Sequence, residues 1–271
     1  MKTLLLLTVA LAPVAAHDWD RHWTVEDQQT IHHSYAGGTG HKLVVDNFAG
    51  AIHVTGGGSQ IEVTLVRHNR ADSAGRLAEA KRDVKLEITD AGGEVKLHQD
   101  YHQHDSWGDG ERYRVEFDYD IQVPAGTALS LKNFNSEIAV KGTSGDFNVH
   151  TLNGHVEVED VTGAGSVHTF NGPVKIAFRH NPERDLNVKT FNGAVDAYFQ
   201  PGLNAELSYK TFHGGVFSDF EVAPVAANAE RSGTKYVYHS GHSGSGRIGQ
   251  GGPTLEFEGF SGPIRLHEAK P

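Results

Sequence analysis

The amino-acid sequence predicts an all-β protein: a parallel β-solenoid (β-helix-like) of repeated strand-turn-strand units, with a small β-rich end cap containing one short helix. Three observations predict it. A turn unit built on Phe-Asn-Gly recurs through the second half of the chain, its central copies keep a near-fixed period, and apolar residues alternate two by two on either side of it.

The chain opens with MKTLLLLTVALAPVAA, one basic residue (Lys2), then an apolar run, then small residues at Val14 and Ala16. That is the order of a secretory signal peptide, with cleavage expected before His17. The apolar run is shorter than the roughly 20 residues a bilayer crossing needs, and no later segment approaches that length. The expectation is therefore a protein that is secreted, and periplasmic or associated with the cell surface. Residues 1–16 form the leader, 17–126 the first repeat and β-rich cap, and 127–271 the solenoid repeats, with an insertion at about 223–252. There is no cysteine, so a disulfide framework, a cysteine lipid anchor and cysteine-ligated zinc are excluded together.

The formal net charge is −10 with the histidines neutral, and loss of Lys2 with the leader makes it −11, which argues against nucleic acid as the main partner. The chain is histidine-rich, with 18 of them, and imidazole titrates close to neutral pH. Full protonation would carry the mature chain to 18 − 11 = +7, so its surface is expected to change sign on acidification.

Seven copies of the unit align on Phe48, Phe134, Leu152, Phe170, Phe191, Phe212 and Phe260, and the five from 134 to 212 lie 18, 18, 21 and 21 residues apart. A fixed period of this size marks a stacked repeat. Before the anchors, Leu43 and Val45, Leu129 and Leu131, Phe147 and Val149, Leu186 and Val188, Leu207 and Tyr209, and Leu255 and Phe257 alternate. After them the same period of two resumes, as at Ile138 and Val140 or Val174 and Ile176, so each unit reads as strand, corner, strand. The corners carry Asn153-Gly154, Asn171-Gly172 and Asn192-Gly193, with Asn135-Ser136, His213-Gly214, Ser261-Gly262 and Ala49-Gly50 as variants. Asparagine and glycine tolerate the backbone of a sharp change of direction. The corner asparagines are expected to bond neighbouring backbone.

Asn-Gly between alternating strands is also a hairpin signal, so an antiparallel meander is the competing topology. Stacking explains the near-identity of the corners, because it places equivalent positions about 4.8 Å apart. Burying four or five apolar side chains per copy contributes on the order of 10 kcal/mol gross, most of it offset by chain entropy. No copy would be stable alone.

Between the first copy and the second, 61–66, 84–88, 94–98 and 112–123 read as strands. Residues 73–82 read as a helix capped by Ser73. Neither the turn-rich stretch QDYHQHDSWGDG (99–110) nor the glycine-rich GHSGSGRIGQGG (241–252) carries the Lys-Ser/Thr of a phosphate loop, and no cofactor is implied.

The segments YDIQVPAG (119–126), LKNFNSEIAVKGTSGDFNVHTLNGHVEVEDVTG (131–163), HTFNGPVKI (168–176) and GQGGPTLEFEGFSGPIRL (249–266) resemble a bacterial family of exported β-strand-repeat proteins of the DUF4097 type, proposed as adhesins. The resemblance spans nearly the whole mature chain. It implies an envelope-facing β-solenoid with no assigned catalytic residues, and does not account for the histidines.

In a stack, the outward residues two before the anchors form a column: Asp46, Lys132, His150, His168, Lys189, Lys210 and Glu258. Beside it run Ser130, Asn148, Ser166, Asn187 and Ser208. Like charges on adjacent strands repel, so an anion laid along Lys132, His150, His168, Lys189 and Lys210 would relieve them. The expected partner is an anionic envelope polysaccharide or another surface protein, and the alternative is a charged solubilising face. A metal site is a second candidate, with His98, His102, His104 and Asp105 in one stretch and imidazole suited to zinc, copper or nickel. The amino group and imidazole of His17 would offer a further copper chelate.

A carbohydrate-active enzyme is the third candidate. Glu157, Lys175 and Asp196 form an outward column whose carboxylates would lie roughly 9–10 Å apart, near the upper end for an inverting pair. The intervening lysine favours a charge ladder, and no nucleophile elbow or HExxH motif occurs. The expectation is a non-enzymatic, adhesin-like or scaffolding protein of the cell envelope, with no catalytic residues.

Overall fold

A computed structural model describes residues 6–8, 23–101, 113–224, 229–232, 235–238 and 243–270. Within them lie 24 strands and one helix, arranged in two mixed sheets of 13 and 11 strands. The strand leading into each corner belongs to the 11-stranded sheet, and the strand trailing out of it belongs to the other. Their inward residues join one hydrophobic core.

The leading strands of copies two to five are Ala128–Asn135, Phe147–Asn153, Gly165–Asn171 and Leu186–Asn192. The trailing strands are Ile138–Lys141, Val156–Val161, Val174–Phe178 and Val195–Phe199. Neighbouring copies pair parallel and in register: Val149 lies opposite Leu131 and Val167, and Val156 opposite Ile138 and Val174. The period-two pattern holds at Val149, Val167, Val188, Val158, Ile176 and Ala197, all closed to solvent, and slips by one residue between Val158 and Val161. Corner glycines are required by close backbone approach. A Cβ on Gly193 would sit 2.1 Å from the carbonyl oxygen of Gly172, and one on Gly172 would sit 2.1 Å from that of Gly154.

Spatial order departs from chain order at both ends. Copy seven (Thr254–Ser261 and Ile264–Glu268) does not follow copy six (Ala205–His213 and Val216–Ser218) but lies between it and copy five. The cause is the insertion. Ser243–Ile248 runs back antiparallel along copy six on its outer side, and the chain then returns to copy six's inner side. At the other end, copy one (Lys42–Ala49 and Ile52–Gly56) pairs directly with copy two. Beyond it, Glu94–Tyr101 and Tyr113–Val123 lie parallel to copy one, although they come later in the chain.

Antiparallel strands close the ends: Val84–Ala91 on one sheet, Ile61–Ala71 and Val25–Tyr35 on the other. The repeats pair parallel as expected, and the antiparallel strands at the ends make both sheets mixed. The helix forms at Ala74–Asp83, where Ser73 accepts from the Arg76 amide at 3.4 Å. Leu6–Thr8, inside the segment read as a leader, pairs antiparallel with Gln29–Ile31. Processing before His17 would remove it and leave Val25–Tyr35 at the sheet edge.

Candidate functional site

The outward face of the leading strands presents four parallel rows. The row two before the anchors runs, in spatial order, His98, Asp46, Lys132, His150, His168, Lys189, Glu258, Lys210. Four of the five proposed ligand residues are thus consecutive. Lys210 is not, and its expected place beside Lys189 is corrected, because the intercalated copy puts Glu258 between them. The signal was present in the sequence. Two lysines side by side would repel, whereas a carboxylate between them forms a favourable cross-strand ladder.

The basic segment is bracketed by acids. Asp46 lies 3.8 Å from Lys132 and 3.2 Å from His98, and Glu258 lies 3.4 Å from Lys189. His150 and His168 face each other edge-on with ring centroids 6.2 Å apart. Burial first, then His168 and then Lys132, hold the His150 imidazolium below the usual histidine range. In the adjacent polar row, Ser166 donates to Asn148 at 3.1 Å, His168 meets Asn187 at 2.9 Å, and Asn187 donates to Glu256, an acid the sequence reading did not place there.

The anchors themselves form an exposed aromatic rib. Phe212 is 51 % exposed and Phe170 46 %. Phe170 stacks on Phe191 (4.7 Å, 1°), Phe191 on Phe260 (4.4 Å, 6°) and Phe260 on Phe212 (4.9 Å, 4°). Tyr101, Phe48 and Phe134 make a second stack, and Leu152 separates the two. Inside each stack the faces cover one another, so the inner rings present their edges, the positive part of the aromatic quadrupole, to solvent. Next to the rib, Asn153 donates to Asn135, Asn171 to Asn153 and Asn192 to Asn171 at 2.8–3.0 Å. The corner asparagines therefore satisfy each other as an amide ladder rather than the neighbouring backbone.

Of the metal candidates, His98 pairs with Asp46 through Nδ1. His102, His104 and Asp105, like His17, lie outside the described residues. Among the described residues no group of three or more His, Asp or Glu side chains is placed to hold a metal. On the trailing strands, Glu157, Lys175 and Asp196 do fall in one column. Lys175 Nζ binds Glu157 at 2.7 Å and Glu159 at 2.6 Å, while Asp196 meets His267 at 2.9 Å and Arg265 at 3.3 Å. The hydrogen bond from Lys175 draws the Glu157 carboxyl below its ordinary range, and bonds to Glu157 and Glu159 push the Lys175 ammonium up. A general acid needs the opposite shift.

No family model matches the chain, the DUF4097-type family included, and no curated protein matches it. Among solved structures, a proposed cell adhesion protein of Clostridium sporogenes is 10% identical, with 90% of this chain and 100% of that one covered, at a TM-score of 0.42. A proposed adhesin of Bacteroides fragilis is 12% identical over 88% and 97%, at 0.42, and one of Parabacteroides distasonis 10% over 88% and 97%, at 0.27. Likenesses this remote decide neither fold nor function, which rest on the side chains described above. No helix among the described residues is long and apolar enough to cross a membrane.

Proposed function

We propose that the chain is an exported, non-enzymatic β-solenoid that acts by binding, and that Lys132, His150, His168 and Lys189 form the seat of an extended anionic polymer such as an acidic envelope polysaccharide. The observation that carries this reading is the row itself: four basic or titratable side chains on four adjacent parallel strands, with no carboxylate between them. Strand spacing of about 4.8 Å keeps such charges in mutual repulsion, which a polyanion lying across the strands would offset. The flanking serines and asparagines supply hydrogen bonds to hydroxyl-bearing units. The Lys175 ammonium between Glu157 and Glu159, which draws the Glu157 carboxyl below its ordinary range, supports a charge ladder rather than a proton donor at this column.

The reading is tested by affinity electrophoresis through a polyuronate-containing gel. Retardation is expected to be lost when Lys132 and Lys189 are replaced by glutamine. Unchanged retardation in that double variant would overturn it.

A further inference from the structure

Three corners carry the same dipeptide behind a large apolar residue: Leu152 before Asn153-Gly154, Phe170 before Asn171-Gly172 and Phe191 before Asn192-Gly193. Asparagine followed by glycine is open to a covalent change that needs only water, because glycine has no side chain to keep its backbone nitrogen from the asparagine amide. The glycine nitrogen attacks the asparagine Cγ, the new C–N bond closes a five-membered imide, and Nδ2 leaves as ammonia with the proton that the glycine nitrogen gives up. Water then opens the imide at either carbonyl, leaving an aspartyl or an isoaspartyl linkage.

The three dipeptides are alike in sequence and unlike in their surroundings. The attacking N–H is held equally in all of them, Gly154 donating to the Asn171 carbonyl at 2.9 Å, Gly172 to that of Asn192 at 2.8 Å and Gly193 to that of Ser261 at 2.9 Å. The asparagine side chains are not held equally. Asn153 and Asn171 each donate to one neighbour and accept from the other, whereas Asn192 donates to Asn171 and accepts from no donor among the described residues, since its next partner in register is Ser261. The glycine carbonyls differ in the same sense. On the inward face, the side chain just before each anchor donates to the corner of the adjoining copy: Asn133 to Gly50 at 2.8 Å, Thr151 to Ser136 at 3.3 Å, Thr169 to Gly154 at 3.2 Å and Thr190 to Gly172 at 3.1 Å. Copy seven carries Gly259 opposite Thr190, so this threonine ladder stops and the Gly193 carbonyl receives no side-chain bond.

We propose that Asn192 is the deamidation site of the folded protein, converted ahead of Asn153 and Asn171. Freeing its corner for the attack breaks two hydrogen bonds fewer than freeing either of the others. Asn171 and Asn192 are both exposed, so their order reads the bonds and not the access of water. The product no longer donates to Asn171 and sets a carboxylate against its Oδ1. The isoaspartyl form also adds a backbone atom at a corner where even a Cβ on Gly193 would lie 2.1 Å from the Gly172 carbonyl oxygen. Conversion at 192 therefore severs the asparagine ladder beside the intercalated copy.

Peptide mapping by mass spectrometry tests this on the full chain held in mildly alkaline buffer, once folded and once in concentrated urea. In urea the three sites are expected to convert at similar rates. In the folded chain, 192 is expected to lead 153 and 171 by about tenfold or more, the scale of two net hydrogen bonds. Ser261→Asn, which offers Asn192 a side-chain donor, and Gly259→Thr, which offers one to the Gly193 carbonyl, are each expected to slow conversion at 192 by about fivefold. Conversion at 153 or 171 as fast as at 192 in the folded chain, or conversion confined to the unfolded chain, would overturn the assignment. So would a native rate at 192 in both variants, each shown to be folded by its thermal midpoint.

Discussion

Copies two to five and the junction of copies five, seven and six are built from one unit, yet they hold together differently. In the first region paired strands are 18 or 21 residues apart in the chain, while copies five and seven pair across 69. Closing the longer loop costs only about 1 kcal/mol more, small beside the burial gained by each copy. Local chemistry nevertheless changes at the junction. The asparagine ladder gives way to Ser261 and His213, the threonine ladder to Gly259, and the basic row to Glu258. Where neighbours are near in sequence, the repeat is regular and redundant. Where the chain must return from an excursion, the side chains depart from the pattern, and the buried Thr211 hydroxyl lacks the corner bond that Thr151, Thr169 and Thr190 make.

The comparison breaks most severely if residues 253–271 are removed. Copies five and six then face each other across the space of a missing copy, each with an open edge. Hydrogen exchange is expected to show protection lost over 186–218 and kept over 128–161. Uniform behaviour along the chain would erase the distinction between the two regions.

A pair of substitutions sharpens it. Gly193→Ala forces a Cβ against the Gly172 carbonyl and is expected to cost about 3 kcal/mol or more. Gly259→Ala meets no such contact and is expected to stabilise by about 0.4–1 kcal/mol, through the unfolded chain. Thermal unfolding of the two variants reads the difference, and equal losses would show that copy seven is as tightly packed at this position as the corners are.

The smallest expected effect is on the regular region's pH dependence. Because its surroundings hold the His150 imidazolium below the usual range, its contribution to stability is full above the unfolded value of about 6.5. It is lost as pH falls through the folded value. His150→Asn is expected to lessen the fall in melting temperature between pH 7.5 and pH 5 by about 1–3 °C relative to the native chain. An unchanged fall would mean that other groups carry it.

The legible part of the fold was local. Alternation at Val149, Val167 and Val188 named the buried face, Ser73 named the helix start, and the Asn-Gly pairs named the corners. The order of copies was not legible, since a period of two says which way a side chain points and nothing about which strand lies beside it. For the same reason the basic row was found but Lys210 was set one place wrong. Gly259 in a column of threonines and asparagines was legible in the sequence, whereas only the structure shows that neither its backbone nor its packing requires glycine.

By itself, then, the sequence determined the strand-corner-strand unit, its inward and outward faces, and the residue types in each outward row, because these depend on contacts within one turn of chain. The tertiary structure alone decided that copy seven enters between five and six, that Glu258 interrupts the lysines, and that the aromatic rings close face to face. Those depend on pairing between distant segments, where many registers satisfy the same alternation and only the complete set of backbone hydrogen bonds and buried side chains selects one.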